Sequence, residues 1–314
     1  MRYGNVDMRF TFKQLRYFDA ALRLGSIARA ADEMNISQSS ITAAIDMMEA
    51  AIGHPLFRRI PAKGIVPTDT GTAVGRQVAG FLDQCRLFEN ELMSIEGDPT
   101  GTLRMACYAP TAPHVLPVLM KRIAEAYPGI RIDLKEGDMQ TISDMLVSGG
   151  VDIALTYRQT LVANQPFKPL FHARPFAILP AGWDLAAQPA LSLAQLAERP
   201  MIMLDLPATQ SYFRALFTAE GLEPKVLHTT KSSSVLRGLV AANLGYSILN
   251  IHGAMPSSAE VGYVARPLLG DPVEPQYGVA FAPGVERSTM LRVVLDISDA
   301  LIAEGVFDRL VLRP

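Results

Sequence analysis

The side chains best suited to hydrogen bonding are concentrated in one short segment. Five of the six residues from Ser37 to Thr42, in the stretch SQSSIT, carry a hydroxyl or a carboxamide. A glutamine can pair with adenine, and hydroxyls can contact either a base edge or a phosphate. Further along, Arg58, Arg59 and Lys63 supply three positive charges within six residues. This combination predicts a surface that binds the grooves and phosphates of a nucleic acid.

Two short helices joined by a tight turn would position that segment. Ser26 can cap the first helix, because a serine oxygen accepts a free amide of the first turn. Asn35 lies where the chain must reverse, and asparagine tolerates the positive φ that ends a helix. Ser37 then caps a second helix, predicted over 37–47, which would enter a DNA major groove. Ordinary helical packing is the alternative, since such helix pairs occur in many helical domains.

A small hairpin is predicted directly after these helices. The apolar pairs at 56–57 and 65–66 flank a turn that Pro61 and Gly64 supply. The three cations named above lie on this hairpin. A cationic hairpin beside a helix-turn-helix is a winged arrangement, and the wing would reach the phosphates.

A long amphipathic helix is predicted from Thr68 or Asp69 to about Glu96. Apolar residues recur at helical spacing from Val74 to Ile95, and the helix would span roughly 40 Å at 1.5 Å per residue. An apolar stripe of this length needs a partner, and a second copy of the same helix is the simplest one. We therefore predict a homodimer, which suits a two-fold DNA site. Packing of the helix on its own domain is the alternative.

Beyond a linker at 97–101 the pattern changes to alternating strands and helices. This alternation predicts parallel sheets with right-handed crossovers. Two such sheets side by side leave a cleft at their strand ends, where small ligands bind. The predicted strands span 103–108, 130–135, 151–156, 176–179, 201–204, 226–230, 246–249 and 277–282, and the predicted helices span 113–126, 141–147, 193–197, 210–220, 235–242 and 288–304.

Composition limits where the protein acts and what it can bind. The chain has 314 residues and a net charge of −2, so any nucleic-acid surface must be local. Cys85 and Cys107 form no CxxC pair, which fits a reducing compartment. The N-terminus lacks the apolar core and cleavage site of a signal peptide, and no apolar run is long enough to span a bilayer. We expect a cytoplasmic protein without membrane association.

Motifs for catalysis or for cofactor and metal binding were not found. The five histidines are scattered, and the sequence has no HExxH, Walker, GxGxxG or GxSxG motif. A redox-active cysteine needs a low pKa and exposure, whereas Cys85 is predicted in the long helix and Cys107 in a strand. We therefore expect no catalytic residues, no metal site, no cofactor and no enzymatic activity.

Taken together, these segments resemble the LysR-type transcriptional regulators over essentially the whole chain. The resemblance implies a homodimer or homotetramer that binds double-stranded promoter DNA through winged helix-turn-helix heads. It also implies a small-molecule effector that controls activation or repression, and RNA polymerase as a partner during activation. The matching segments are QLRYF at 14–18, GSIARAA at 25–31, ISQSSIT at 36–42, the wing at 53–68 with PLFRR at 55–59, PGI at 128–130, GVDIA at 150–154, ILP at 178–180, and 245–249.

Two positions depart from the family pattern in the recognition helix. Ser39 stands where the family usually has proline. Ala43 follows Thr42, at a position where the family often has arginine or lysine. The helix therefore has no cation before Asp46, and electrostatic affinity must come from Arg29 and the wing. The predicted DNA-binding residues are Gln14, Arg29, Ser37, Gln38, Ser39, Ser40, Thr42, Arg58, Arg59 and Lys63.

The resemblance also places effector-binding positions around the cleft. Helix N-termini with free amides and hydroxyls can hold a carboxylate, although ordinary capping is the alternative for such residues. Tyr157 stands where relatives that take aromatic or dicarboxylic acids often have arginine. We therefore expect a polar-neutral or aromatic effector with at most one carboxylate. The predicted effector-binding residues are Pro110, Thr111, Asp138, Met139, Tyr157, Pro207, Thr209, Ser233 and Asn250.

The predicted fold is α/β with an N-terminal all-α winged helix-turn-helix. The predicted parts are the winged domain at 1–68, a linker helix at 69–97 and an effector domain like the periplasmic binding proteins at 98–314, with subdomain I at about 102–172 and 274–314 and subdomain II at about 173–273. The rival is a stand-alone solute-binding protein of periplasmic type, which the winged domain and the missing signal peptide disfavour. An enzyme lacks support, because no nucleophile–base arrangement is visible.

Overall fold

The computed structural model describes residues 9–60, 64–94, 98–253 and 261–314. Contacts divide the chain into two compact units, Met1–Glu89 and Asn90–Pro314. The N-terminal unit contains helices α1 (Phe12–Leu24), α2 (Ile27–Met34) and α3 (Gln38–Ile52), strands β1 (Phe57–Ile60) and β2 (Gly64–Pro67), and most of α4 (Asp69–Met93). Within the described residues, no helix is long and apolar enough to cross a membrane.

The capping signals in the sequence set the turn between α2 and α3. The Ser26 hydroxyl accepts a hydrogen bond from the amide of Arg29, and the Ser37 hydroxyl accepts one from Ser40. Asn35 ends α2 in the left-handed conformation at φ +53°. The three helices enclose an apolar core that includes the fully buried Ile41. The predicted helix-turn-helix is confirmed.

The wing is held against the helices by backbone contacts. Strands β1 and β2 pair antiparallel, as predicted. Gly64 has φ +84°, and a Cβ there would lie 2.5 Å from the carbonyl oxygen of Gly25, so the close approach requires glycine. The Glu49 carboxylate of α3 accepts the amides of Leu56 at 2.6 Å and Phe57 at 3.1 Å. These bonds fix β1 relative to α3.

Helix α4 begins after a threonine cap. The Thr68 hydroxyl accepts the Gly71 amide at 2.9 Å, so Thr68, one of the two predicted caps, is the residue that starts the helix. The described helix continues to Met93. Its predicted end near Glu96 lies outside the described residues.

Apart from two strands, the C-terminal unit is built from strands and helices in the order that the sequence pattern predicts. Its strands are β3 (Gly101–Tyr108), β4 (Ile130–Gly137), β5 (Ile153–Tyr157), β6 (Phe167–His172), β7 (Phe176–Pro180), β8 (Pro200–Leu204), β9 (Lys225–Thr230), β10 (Ser247–Leu249), β11 (Tyr263–Pro267) and β12 (Gln276–Phe281). Its helices are α5 (Ala112–Ala126), α6 (Met139–Val147), α7 (Leu193–Ala197), α8 (Pro207–Ala219), α9 (Ser233–Ala241) and α10 (Thr289–Ala303).

These strands form two subdomains with mixed sheets. The first sheet has the order β4-β3-β5-β12-β6, with β3, β4 and β5 parallel and β12 antiparallel to both of its neighbours. In the second subdomain, β10-β7-β11 is antiparallel and β8-β9 is parallel. The expectation of parallel sheets is confirmed for β3, β4 and β5 and for β8 and β9. It is wrong for β7 and β12, the first strand after each crossover between the subdomains, which run antiparallel to their neighbours.

Two strands were not predicted from the sequence. Strand β6 contains Pro169 and lies at a sheet edge, where a missing amide is tolerated. Strand β11 ends at Pro267 and also lies at an edge. The chain passes between the subdomains near Ala173 and Pro275, where the Ala173 amide donates to the Pro275 carbonyl at 2.9 Å.

Candidate functional site

The N-terminus of α3 presents a cluster of exposed hydroxyls in the N-terminal unit. Ser37, Gln38, Ser39 and Ser40 are exposed and Thr42 is half-buried. The Ser37 hydroxyl oxygen lies 2.8 Å from that of Ser39 and 2.9 Å from that of Ser40. The helix therefore offers side-chain hydroxyls and free backbone amides in one place, a combination that can bind phosphate or base edges.

The outward face of α3 continues with residues that the sequence reasoning did not select. Met47 is 58% exposed and Ala43 is exposed. Both lie on the side of α3 away from the core, and apolar groups there can contact a thymine methyl. The predicted Gln14 is half-buried, with its carboxamide oxygen accepting the Thr11 amide at 2.8 Å and its nitrogen 3.2 Å from the Met47 sulfur. The Gln14 side chain thus caps α1 and supports Met47.

Three of the four predicted cations lie on other elements of this unit, Arg29 on α2 and Arg58 and Arg59 on β1. Arg58 and Arg59 are exposed neighbours on β1, so their side chains leave opposite faces of the hairpin. Neither forms an ion pair with any described residue. Arg29 is also exposed, and its guanidinium donates to the Leu24 carbonyl. Lys63 lies outside the described residues.

A narrow cleft separates the two subdomains of the C-terminal unit, at the carboxyl ends of β3, β5, β8 and β10. Its volume is about 30 Å³, which holds one or two water molecules and no organic ligand. Seven of the nine predicted effector positions line this space. They are Pro110, Thr111, Met139, Tyr157, Thr209, Ser233 and Asn250.

Two predicted effector positions do not line the cleft. The Asp138 carboxylate caps α6 and accepts the amides of Gln140 and Thr141 at 2.9 Å. The hydrogen bonds from Thr141 hold the pKa of Asp138 below its usual value. Pro207 is the exposed first residue of α8. For Asp138 the structure favours the capping alternative.

A hydrogen bond joins the two subdomains across the cleft. The Tyr108 hydroxyl, at the end of β3, lies 2.7 Å from the Thr209 hydroxyl in the first turn of α8. Tyr108 is 3% exposed and Thr209 is 5% exposed. Burial raises the pKa of Tyr108, so the phenol stays protonated. We refer to this contact as the Tyr108–Thr209 bond, and it closes the cleft.

Aromatic side chains form one wall of the cleft. Tyr157 packs edge-on against Tyr108 and Tyr277, with ring centroids 5.7 Å and 5.0 Å apart. The Thr111 hydroxyl lies 2.8 Å from the Tyr277 hydroxyl. Burial raises the pKa of the nearby Cys107 thiol to about 12. A thiol so protected is not a reactive nucleophile.

Several cleft residues were missed by the sequence reasoning. Arg237, Tyr212 and Gln159 line the cleft together with the predicted positions. Arg237 follows Ser233 by four residues on α9, so the i, i+4 spacing could have placed both on one helix face. Asn250 donates to the Ala173 carbonyl at 2.8 Å and to the Tyr212 hydroxyl at 3.3 Å. It therefore ties the cleft to the crossover between the subdomains.

Comparison with known proteins assigns both units. Residues 96–301, about two thirds of the chain, match the LysR substrate binding domain. Residues 12–72 match the bacterial regulatory helix-turn-helix protein domain of the lysR family. The chain belongs to the LysR family. It is a LysR-type transcriptional regulator, and the helix-turn-helix match removes the ground for a stand-alone solute-binding protein.

Individual relatives agree with this assignment. The RuBisCO operon transcriptional regulator of Allochromatium vinosum is 29% identical over 251 residues, covering 78% of this chain and 81% of that protein. The activator CmpR of Synechocystis is 24% identical over 290 residues, covering 91% of this chain and 94% of that protein. LysR regulators bind promoter DNA and small-molecule effectors and form oligomers.

Solved structures share the fold. HinK, a LysR family transcriptional regulator from Pseudomonas aeruginosa, is 28% identical with a TM-score of 0.60, covering 93% of this chain and 99% of that one. Full-length OxyR from Pseudomonas aeruginosa has a TM-score of 0.74 at 18% identity, covering 92% of this chain and 94% of that one. The OxyR likeness concerns the fold alone.

Proposed function

We propose that this regulator binds its promoter through α3 and the β1–β2 wing, and that a small organic effector in the cleft controls that binding. The observation that carries the DNA part is the exposed hydroxyl and carboxamide cluster at the start of α3, in the same unit as a wing with exposed arginines. The domains we propose are the winged domain at 1–68, the linker helix at 69–97 and the effector domain at 98–314.

Base recognition in this proposal rests on neutral side chains. Gln38 and Ser39 are exposed at the first helical positions of α3, where recognition helices contact base edges. A glutamine pairs with adenine N6 and N7, and Ser40 and Thr42 add hydroxyl donors and acceptors. The Ser37 hydroxyl caps α3. We assign this end of the helix to a phosphate, which the remaining free amides of the first turn would bind.

Phosphate binding is assigned to Arg29, Arg58, Arg59 and Lys63. Their contribution does not depend on base sequence and weakens as salt increases. Four cations per head give modest affinity, and two heads held together raise it by effective concentration. Dimerisation is therefore part of the proposed function.

Helix α4 offers a surface for that dimer. Phe81, Cys85, Phe88 and Leu92 recur at spacings of four, three and four residues, which places them on one helix face. Phe88 is 63% exposed, and Phe81 and Leu92 are also exposed. An apolar stripe with this spacing fits a second copy of α4. We propose a homodimer, which can pair into a homotetramer.

The proposed effector is a small organic molecule, aromatic or with one carboxylate. Its site is the cleft lined by Pro110, Thr111, Met139, Tyr157, Thr209, Ser233 and Asn250. The regulator would act in the cytoplasm and would contact RNA polymerase when it activates transcription.

The DNA part is tested by changing the recognition helix. Replacement of both Gln38 and Ser39 by alanine should weaken binding to the DNA upstream of its own gene by about tenfold or more, while binding to random duplex changes little. Gel-shift titration measures both affinities. The control is Gln140→Ala, an exposed residue on α6. Equal loss on both duplexes would contradict base reading by these residues.

A further inference from the structure

Arg237 is the charged side chain that faces the effector cleft. Among the described residues that line this space, the others are aromatic, aliphatic or neutral polar. No aspartate or glutamate is among them. The described lining therefore carries one fixed positive charge, and an anion placed there would meet no carboxylate of that lining.

The guanidinium of Arg237 has no anionic partner among the described residues. Its contact is a hydrogen bond of 3.2 Å from Nη1 to the Tyr263 hydroxyl, which is neutral. The side chain is half-buried. A partly desolvated charge gains from a counter-ion, and guanidinium groups bind carboxylates with two parallel hydrogen bonds. The remaining N–H groups of Arg237 are suited to that geometry.

The start of α9 adds a partial positive charge on the side of Arg237. Ser233 begins α9 and lines the cleft, so the amide end of the helix dipole lies on the same side as Arg237. His114 and His252 lie near enough to feel the Arg237 charge, and burial together with that charge lowers the pKa of both imidazoles. Among the described residues that line the cleft, Arg237 is the cation.

The other residues of the cleft lining determine which apolar group and how many charges the ligand can carry. Tyr108, Tyr157, Tyr212 and Phe213 supply aromatic surface, which favours a flat apolar group. A second carboxylate would be buried without a second cation, and an unpaired buried charge is costly. The lining thus favours one negative charge and disfavours two.

Resting on the proposed effector role of the cleft, we infer that Arg237 binds the carboxylate of a small monoanionic effector with an aromatic or other flat apolar body. Entry of such a ligand into a space of about 30 Å³ requires the subdomains to part. The Tyr108–Thr209 bond must then open. Ligand binding and movement of the subdomains are coupled through this bond.

The test compares carboxylates with their neutral amides on the full-length protein. The probes are benzoate and phenylacetate, benzamide and phenylacetamide, and the dianion phthalate, each at millimolar concentration. Thermal unfolding and calorimetric titration measure binding. We expect at least one of the two monocarboxylates to raise Tm more than its amide and more than phthalate. Failure of both acids to bind, equal binding of acid and amide, or preference for phthalate would overturn the inference.

Variants of Arg237 test whether this side chain binds the carboxylate. Arg237→Gln should weaken binding of the favoured acid about tenfold or more, the loss expected for a charge-assisted hydrogen bond, and Arg237→Lys should recover part of it. Arg214→Gln, in α8 outside the cleft lining, should bind the acid like the wild type. Unchanged binding by Arg237→Gln would overturn the assignment.

DNA binding without added acid separates this inference from the proposed function. Arg237→Gln without acid should give the wild-type circular-dichroism spectrum, which shows that the variant is folded, and the control Arg214→Gln should retain the wild-type affinity for the upstream DNA. If the wild type binds the acid but not the DNA, the proposed function fails while the carboxylate site stands. If it binds the DNA but neither acid, the carboxylate site fails alone.

Discussion

At the scale of single residues, the charges available for DNA lie on the wing and not on α3. The recognition helix has no cation before Asp46, whereas Arg58 and Arg59 are exposed on β1. Neutral groups on α3 would then determine sequence preference, while the wing provides affinity. Substitutions on α3 should therefore change sequence preference, and substitutions on the wing should change affinity for every duplex.

Arg59→Ala should weaken binding to every duplex by a similar factor, because a phosphate contact is independent of sequence. The slope of log affinity against log salt should become shallower by about one. Fluorescence anisotropy at several salt concentrations measures this slope. Arg131→Ala, an exposed arginine of β4, changes the net charge equally and should leave the slope as it is. An unaltered slope for Arg59→Ala would remove this arginine from the interface.

Tyr108→Phe should lower the free energy of unfolding of the C-terminal unit by about 1 kcal/mol, because one buried hydrogen bond across the cleft is lost. Chemical denaturation followed by circular dichroism measures the change. Tyr127→Phe serves as the matched control, since the Tyr127 hydroxyl forms no hydrogen bond with a described residue. A loss no larger than that of the control would show that the Tyr108–Thr209 bond does not hold the cleft closed.

At the scale of elements, local signals were enough for the helices but not for every strand. Ser26, Asn35 and Ser37 act within a few residues of themselves, so the helix-turn-helix could be read directly. Strands β6 and β11 depend on pairing partners far away in sequence. The prolines in these strands argue against a strand when only the sequence is available. A proline is acceptable at a sheet edge, but which strands are edges is known only from the assembled sheet.

Phe88→Asp should shift the protein toward monomer, because a carboxylate in an apolar helix–helix contact loses its hydration. Sedimentation velocity measures the species present. DNA affinity should fall in parallel as the second head is lost. Val273→Asp, at an exposed residue outside α4, is the control. A Phe88→Asp protein that remains dimeric would contradict the role proposed for α4.

At the scale of the whole molecule, the cleft combines residues that are distant in the sequence. The resemblance led to seven positions that line it, but Arg237 and Tyr212 could not be found by matching motifs alone. Their positions depend on how α8 and α9 pack against the two sheets. Asp138 caps α6, and its effector role stays a prediction, because a local capping pattern looks the same in sequence as a ligand-binding one.

Acid should destabilise the C-terminal unit as the pH falls below about 6.5, because the folded pKa values of His114 and His252 lie below the unfolded value of 6.5. The stabilisation is full above the unfolded pKa and is lost as pH falls below it. Thermal unfolding on both sides of this pH measures the trend. A His114→Gln, His252→Gln double variant should show a weaker dependence than the exposed control His228→Gln. Identical pH dependence in both would contradict this account.

The most direct test of the central claim is the preference of the wild-type protein for its own upstream DNA. Fluorescence anisotropy at moderate ionic strength should give tighter binding to that DNA than to random duplex by about 1,000-fold or more. The proposed effector control further predicts that a bound monocarboxylate changes this ratio. Equal affinity for both duplexes, with and without the acids, would contradict the account.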